Sequence, residues 1–354
     1  MGIGRRRFLT LAGAAAVASP LVGSPMVIRN ARAQAQVTLK LHHFLPAVSN
    51  VHTKLWTPWA KKLETESGGR LKVDIFPAMQ LGGAPPQLFD QARDGVADLV
   101  WTLPGNTPGR FPGVEVFELP FVAAKRGIAN AQATQEFYET YLRDEFKEVH
   151  PIVVWSHDGG LIHASKPVKT MEDLKGLKLR SPTRFAGEAL KALGATGIPM
   201  PIPQLPEALA QKVLDGCVIP WEVVPAVKVH ELVKNHIEIP GSPTLYTATF
   251  ILAMNKAKYA SLPADLKQIL DANSGQALAK LAGQMWDNEG VAVSDMVRKR
   301  SNSITEISAD EAARWRKTTQ PVIDDWIKAM KDKGVDGGKM LEHARALVAK
   351  YDKA

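Results

Sequence analysis

Cysteine is nearly absent from this 354-residue chain, in which Cys217 is the single one. One cysteine excludes an internal disulfide, a multi-cysteine metal site and an iron–sulfur cluster. Within its apolar segment, Cys217 is predicted to be a small buried hydrophobe. The HExxH, HxxxH, CxxC, GxGxxG, Walker and GxSxG patterns are also missing. The adjacent His42 and His43 point to opposite faces of a strand and do not chelate one ion together. We therefore expect no cofactor, no metal centre and no catalytic residue.

Acidic residues are missing from the first 35 positions, which hold five of the 44 Lys and Arg residues. Most of the formal net charge of +8 therefore lies in this segment, and the rest of the chain is close to balance with its 36 acidic residues. A nearly neutral body lacks the positive surface that nucleic-acid binding requires. With 45% hydrophobic and 23% charged residues, the composition excludes a disordered chain and a polytopic membrane protein.

Residues 1–35 are typical of a cleavable export signal. A positive stretch at 5–9 (RRRFL) precedes an uncharged run over 9–28, and 31–35 (ARAQA) offers small residues at the −3 and −1 positions of a cleavage site. The arginine pair favours the twin-arginine pathway, although Gly4 stands where Ser or Thr is usual, so Sec export remains an alternative. Two prolines in the run disfavour a membrane anchor. A periplasmic location is expected.

Strand and helix patterns alternate along the remaining chain. Val, Leu and Ile alternate with polar residues over 37–42 and 71–76, and apolar residues recur at helical spacing over 51–66. The second half repeats this order: 69–73 (GRLKV) is echoed by 176–180 (GLKLR), and each half has a helix that ends in Asp-Gly before a strand. These patterns predict an α/β fold with largely parallel sheets in two lobes of like architecture.

Candidate binding residues follow from where the predicted strands end. In open α/β sheets, ligands bind beyond the carboxyl ends of strands. Arg180 ends an apolar strand, and its guanidinium presents a planar fork that matches a carboxylate. Aromatic, apolar and polar residues at or near other strand ends complete the predicted ligand site: Phe44, Trp101, Trp155, His157, Ile219, Trp221 and Glu222. For the tryptophans, ordinary core packing is the alternative, and for Arg180 a surface position at a strand edge. Glu222 either accepts a ligand hydroxyl, pairs with Arg180, or has a solvated or capping role.

Several segments in order resemble the extracytoplasmic solute-binding subunits of TRAP (tripartite ATP-independent periplasmic) transporters, the DctP-type family. The most specific is 172–180 (EDLKGLKLR). The others are 68–70 (GGR), 80–83 (QLGG), 117–121 (FELPF), 192–195 (ALGA), 215–216 (DG), 254–256 (MNK) and 261–263 (SLP).

The resemblance implies a two-lobed periplasmic binding protein fold with hinge strands and a long helix that spans both lobes. We expect lobe 1 to comprise 36–157, about 250–285 and the C-terminal helices, and lobe 2 to comprise 158–249. The pattern over about 263–298 predicts the spanning helix as one long helix, or two. The resemblance further implies that Arg180 clamps a ligand carboxylate. The implied partners are the small and large membrane subunits of an ion-gradient-driven permease, and no enzymatic step is implied.

Two departures from the family pattern bear on the ligand. Many sialic-acid and dicarboxylate members carry a second arginine in the segment that corresponds to 159–163, which here reads GGLIH. Many also carry Glu-Asn where Val218 and Ile219 stand here. We therefore predict a monocarboxylate with an apolar or aromatic body. The alternatives are a binding protein for an ABC importer or chemoreceptor, and an exported enzyme that uses Glu222, His157 or Asp158 as a general acid or base.

Overall fold

The structure is a computed structural model that describes residues 36–353. The predicted export signal lies outside the described residues. Within this range no helix is both long and apolar enough to cross a membrane.

Eleven strands and eleven α-helices are described within this range. The strands are β1 (Val37–His43), β2 (Leu71–Phe76), β3 (Leu99–Thr102), β4 (His150–Ser156), β5 (Leu161–Ala164), β6 (Lys178–Ser181), β7 (Thr196–Pro199), β8 (Gly216–Ile219), β9 (Asn235–Glu238), β10 (Thr249–Met254) and β11 (Ser303–Glu306). The helices are α1 (Thr57–Glu66), α2 (Leu88–Asp94), α3 (Gly127–Phe137), α4 (Arg184–Ala192), α5 (Leu205–Ala210), α6 (Val229–Leu232), α7 (Lys256–Ser261), α8 (Ala264–Ala272), α9 (Gly275–Arg298), α10 (Ala309–Asp332) and α11 (Gly337–Asp352).

The strands form two mixed sheets. The first has the order β2-β1-β3-β10-β4 and the second the order β11-β9-β5-β8-β6-β7. In the first sheet β1 runs parallel to β2 and β3, whereas β10 runs antiparallel to β3 and β4. In the second, β5 runs antiparallel to β8 and β9. The α/β class is confirmed, but each sheet contains an antiparallel strand that the expectation of largely parallel sheets did not include.

Two short segments carry the chain between the sheets, one at 157–160 and the other at 239–248, and a third, longer connection runs from β10 through α7, α8 and α9 to β11. The two short segments hydrogen-bond to each other: Gly160 N donates to Tyr246 O at 3.0 Å, and Thr247 Oγ1 donates to His157 O at 2.8 Å. We call this pair the crossover segments. They join the two halves of the molecule at one place.

Two helices occupy the region 263–298, for which the sequence pattern predicts one long helix or two. The chain forms α8, breaks at Asn273 and Ser274, and resumes as α9, whose 24 residues extend roughly 36 Å. The break follows from Gly275, which has a φ of +56° that a continuous helix does not contain.

The C-terminal region contributes to both halves of the molecule. Strand β11 pairs with β9 of the second sheet, and Trp315 of α10 is buried in the core beneath that sheet. Trp326 of the same helix belongs to the core around the first sheet. The first half of α10 thus packs with the second sheet, whereas the sequence expectation assigns the C-terminal helices to the first lobe.

Candidate functional site

A small cavity lies between the two halves, at the carboxyl ends of β1, β3, β6 and β8. It encloses about 40 Å³, and most of its lining side chains are at least nine-tenths buried. Its walls are mainly apolar and aromatic: Phe44, Leu45, Pro85, Trp101, Leu103, Pro182, Ile202, Ile219, Pro220, Val223, Ala248, Phe250 and Trp286. The polar residues in its lining are Asn106, His157, Arg180, Glu222 and Tyr246. An apolar chamber with a few polar groups is the usual form of a small-molecule site.

Arg180 places a cation in this chamber. It stands on β6, next to β7 and β8, and is 3% exposed. Its Nε donates to Met200 O at 2.7 Å and its Nη1 to Val218 O at 3.4 Å. No acidic side chain of residues 36–353 lies within ion-pair distance of it, and burial lowers its pKa. A buried cation without an anion is unfavourable, so the site is poised to bind an anion from outside the chain.

Tyr246 adds a hydroxyl beside this cation, on the second crossover segment. The side chain is 2% exposed, and its Oη has no hydrogen-bond partner among the described residues. Burial raises the pKa of Tyr246 well above its ordinary value, and the nearby Arg180 opposes that rise. The phenol is therefore neutral and has a proton to donate. Tyr246 could not be predicted from the sequence, because it precedes β10 in a segment without strand or helix pattern.

Other lining residues also carry hydrogen-bond donors without a partner in the described chain. These are Nε1 of Trp101, Nε1 of Trp286 and Nδ2 of Asn106. Buried donors without a partner are uncommon in folded proteins. Together with Arg180 and Tyr246, they make the lining rich in donors and complementary to a ligand that supplies acceptor oxygens.

Glu222 is the acidic residue of the lining. It follows β8 in a short 3₁₀ turn, Trp221–Val223, and is 1% exposed. Its Oε1 accepts from Val51 N at 3.2 Å, and its backbone oxygen accepts from Asn50 Nδ2 at 3.0 Å. Burial raises the pKa of Glu222 to about 8, although the Val51 hydrogen bond lowers it. The side chain is therefore mainly a neutral carboxylic acid at pH 7.

Six of the eight predicted site residues meet in this cavity. They are Phe44, Trp101, His157, Arg180, Ile219 and Glu222. Trp155 is a correction, because it lies behind the lining, where its ring contacts Trp101, Phe250 and Trp286 at centroid distances of 5.3 to 6.3 Å.

Trp221 is a second correction. Its Nε1 donates to Glu238 at 3.0 Å, and its ring packs against His163 and His236 on the second sheet. It does not line the cavity. The indoles that do are those of Trp101 and Trp286, and Trp286 was missed because it lies on the long helix α9 rather than at a strand end.

Of the three residues considered for general acid–base chemistry, Glu222 and His157 line the cavity. Both ring nitrogens of His157 are occupied, Nδ1 by Asp158 O and Nε2 by Ala248 N. Burial lowers the pKa of His157 to about 3, so the ring is neutral. Asp158 does not line the cavity. Cys217 is fully buried as predicted, and burial raises the pKa of its thiol to about 12.

Two mixed β-sheets with surrounding helices, paired crossover segments and a chamber between the halves define a two-lobed solute-binding protein. Residues 41–329 match the model of the DctP family, described as bacterial extracellular solute-binding protein, family 7. The chain belongs to this family, whose members include the solute-binding subunits of TRAP transporters.

Solved structures of TRAP solute-binding proteins share this fold. One from a marine metagenome, specific for aromatic acid ligands and crystallised with 3-hydroxybenzoate, is 44% identical, with a TM-score of 0.88 over 90% of this chain and 99% of that one. One from Rhodoferax ferrireducens, with copurified benzoate, is 45% identical, with a TM-score of 0.87 over 90% of this chain and 99% of that one. One from Bordetella bronchiseptica, with bound (R)- and (S)-mandelate, is 29% identical, with a TM-score of 0.81 over 89% of this chain and 99% of that one.

Proposed function

We propose that this protein captures an aromatic monocarboxylate in the periplasm and delivers it to a TRAP permease. The observation that carries the proposal is the buried guanidinium of Arg180, which has no acidic partner in residues 36–353 and lies in a chamber walled by aromatic rings. The bound benzoate and 3-hydroxybenzoate of the two relatives at 44–45% identity support the same ligand class.

The carboxylate of the ligand is proposed to bind Arg180 and Tyr246. Nε and Nη1 of Arg180 donate hydrogen bonds to backbone oxygens, whereas its Nη2 makes no hydrogen bond to any described residue. The Tyr246 hydroxyl is a second donor, close enough to Arg180 for the guanidinium charge to lower the pKa of the phenol. Charge-assisted hydrogen bonds of this kind are roughly twice as strong as neutral ones.

The rest of the chamber favours a ring over a sugar chain or a second carboxylate. Phe44 stacks on Trp101 with ring centroids 4.6 Å apart, and Phe250 lies 5.2 Å from Trp101. Flat apolar walls of this kind match an aromatic body. A dicarboxylate brings a second anion, for which the lining offers no second cation. A sugar acid brings several hydroxyls, and each one buried without a partner costs about 1–3 kcal/mol.

Ligand capture is proposed to proceed by closure of the two halves about the crossover segments. The cavity of about 40 Å³ is smaller than the roughly 150 Å³ that holds a benzene ring, so a ligand enters only when the walls separate. Polar contacts already bridge the halves: Val51 N donates to Glu222 Oε1, and Arg184 pairs with Glu115 at 3.1 Å. We propose that the closed, loaded form docks on the small and large membrane subunits of the permease. We also propose that the two lobes predicted from the sequence are the parts that move, except that β11 and the first half of α10 move with the second lobe.

Isothermal titration calorimetry of the purified protein tests this proposal. Benzoate is expected to bind with a Kd in the micromolar range or below, whereas succinate and galactonate bind at least a hundredfold more weakly. Mass spectrometry of the ligand recovered after incubation is expected to return it unchanged. Tighter binding of succinate than benzoate, or chemical conversion of the acid, would overturn the proposal.

A further inference from the structure

Arg180 and Glu222 both line the cavity, yet they form no ion pair with each other. Their charged atoms are therefore more than 4 Å apart, the limit for such a pair. Neither residue is among the charges that shift the pKa of the other. The chamber thus has two separate polar points, one cationic and one acidic, with aromatic walls around them.

Glu222 is held as a neutral acid by its surroundings as well as by burial. Lys54, whose charge lowers the pKa of Glu222, is itself paired with Glu289 at 2.6 Å. The neighbouring charges of Asp158 and Glu289 also disfavour a negative charge on Glu222. A carboxyl group that is fully buried without its own cation keeps its proton.

One carboxyl oxygen of Glu222 accepts a hydrogen bond from the described chain, and the other makes none. Oε1 accepts from Val51 N, whereas Oε2 makes no hydrogen bond to any residue from 36 to 353. In a neutral acid whose Oε1 accepts, the proton is on Oε2. That oxygen then both donates and accepts, which are the two roles that a hydroxyl also has.

We propose that Glu222 is a specificity-determining residue that recognises a hydroxyl group on the ring of the ligand, so that hydroxy-substituted aromatic monocarboxylates are the preferred ligands. The inference rests on the proposed function, since Arg180 must hold the carboxylate for Glu222 to meet a ring substituent. A neutral oxygen is favoured over a charged group at this point. A second carboxylate lacks a cation here, and an ammonium group would require Glu222 to ionise within an acidic neighbourhood.

The test compares ligands that differ by one substituent on the same ring. Calorimetry with benzoate, with 2-, 3- and 4-hydroxybenzoate, and with the corresponding methylbenzoates separates a hydrogen bond from mere filling of space. At least one hydroxy isomer is expected to bind tenfold or more tightly than benzoate, and its methyl counterpart is not.

Two variants test whether the tighter binding of the hydroxy isomer depends on Glu222. Glu222→Gln keeps an acceptor for Val51 N and a donor towards the chamber, and is expected to retain most of the hydroxyl gain. Glu222→Leu is expected to lose that gain, so that its affinities for benzoate and for the hydroxy isomer become equal within about threefold. Benzoate is the internal control, because any general damage to the chamber weakens both ligands alike.

The outcomes distinguish this inference from the proposed function. If benzoate binds and no hydroxy isomer binds more tightly, or if Glu222→Leu weakens benzoate and hydroxybenzoate equally, the role of Glu222 is wrong and the proposed function stands. If no aromatic acid binds the wild-type protein, both are overturned. Should Glu222→Leu fail to fold, the comparison of hydroxy with methyl ligands on the wild type still decides whether a hydroxyl is recognised.

Discussion

Gly160 packs directly against the ring of Tyr246, and a methyl group added at Gly160 would lie 2.0 Å from Cε1 of that ring. The two residues belong to the paired crossover segments, where Gly160 N also donates to Tyr246 O. The absence of a side chain at 160 therefore sets the position of the phenol within the chamber.

Gly160→Ala is expected to displace Tyr246 and lower benzoate affinity about tenfold, with a loss of unfolding free energy of about 1–3 kcal/mol from overpacking. Calorimetry and thermal unfolding measure the two effects. Gly338→Ala is a matched control, because a methyl group there meets no atom closer than 3.5 Å and the position lies in helix α11. Unchanged benzoate affinity in Gly160→Ala would show that the phenol is not part of the site.

Tyr246→Phe is expected to change stability and affinity in opposite directions. The hydroxyl is buried without a partner in the described chain, so its removal should raise the melting temperature of the unliganded protein by about 1–3 °C. Affinity for benzoate should fall about five- to tenfold, because the carboxylate loses a donor. A variant with a lower melting temperature and unchanged affinity would contradict the proposed role.

Arg180→Ala is expected to weaken benzoate binding by at least roughly tenfold, and Arg180→Lys is not expected to restore it. A lysine supplies the charge but not the planar fork, and it cannot reproduce the donations to Met200 O and Val218 O from the same position. Calorimetry with benzoate measures both variants. Recovery of wild-type affinity in the lysine variant would indicate that charge alone holds the ligand.

The stability of the protein should depend on pH through Glu222. Burial raises the pKa of this carboxyl from an ordinary 4.5 to about 8 in the folded state. Between pH 4.5 and pH 8 the folded state therefore retains a proton on Glu222 that the unfolded state has released. The stabilisation is complete below pH 4.5 and is lost as pH rises through 8.

The glutamine in Glu222→Gln does not titrate. The melting temperature of this variant minus that of the wild type should therefore rise by several degrees between pH 5 and pH 9. Glu118 and Glu145, whose pKa values are also raised by burial, are present in both proteins and cancel in the difference. A difference that stays constant across this range would show that Glu222 is ionised throughout.

Much of the site could be read from the sequence because strand ends are marked by local chemistry. Arg180 stands immediately before Ser181 and Pro182, and such a residue lies at the sheet edge where ligands bind. The face of the sheet from which a given side chain projects was harder to predict. Residues 152–156 of β4 are all buried, so no alternation of polar and apolar residues shows which way Trp155 faces.

The missed residues depend on how distant parts of the chain meet. Trp286 is on the apolar stripe of α9, and only the packing of that helix against both halves brings it to the chamber. Trp221 follows Pro220 in a 3₁₀ turn, whose direction is set by the contact with Glu238 rather than by a repeating pattern. Tyr246 has no local signal, since its role arises from pairing with the other crossover segment.

Within residues 36–353 no acidic side chain pairs with Arg180, and under the proposed function this has a consequence for signalling. Closing an empty chamber would seal a cation without a counter-ion away from water, whereas closing a loaded one would seal a neutral pair. The bound carboxylate would then supply the charge that makes the closed shape favourable. A membrane partner that reads only that shape would ignore vacant carriers without ever touching the cargo, so a high concentration of empty protein would not compete for the transporter.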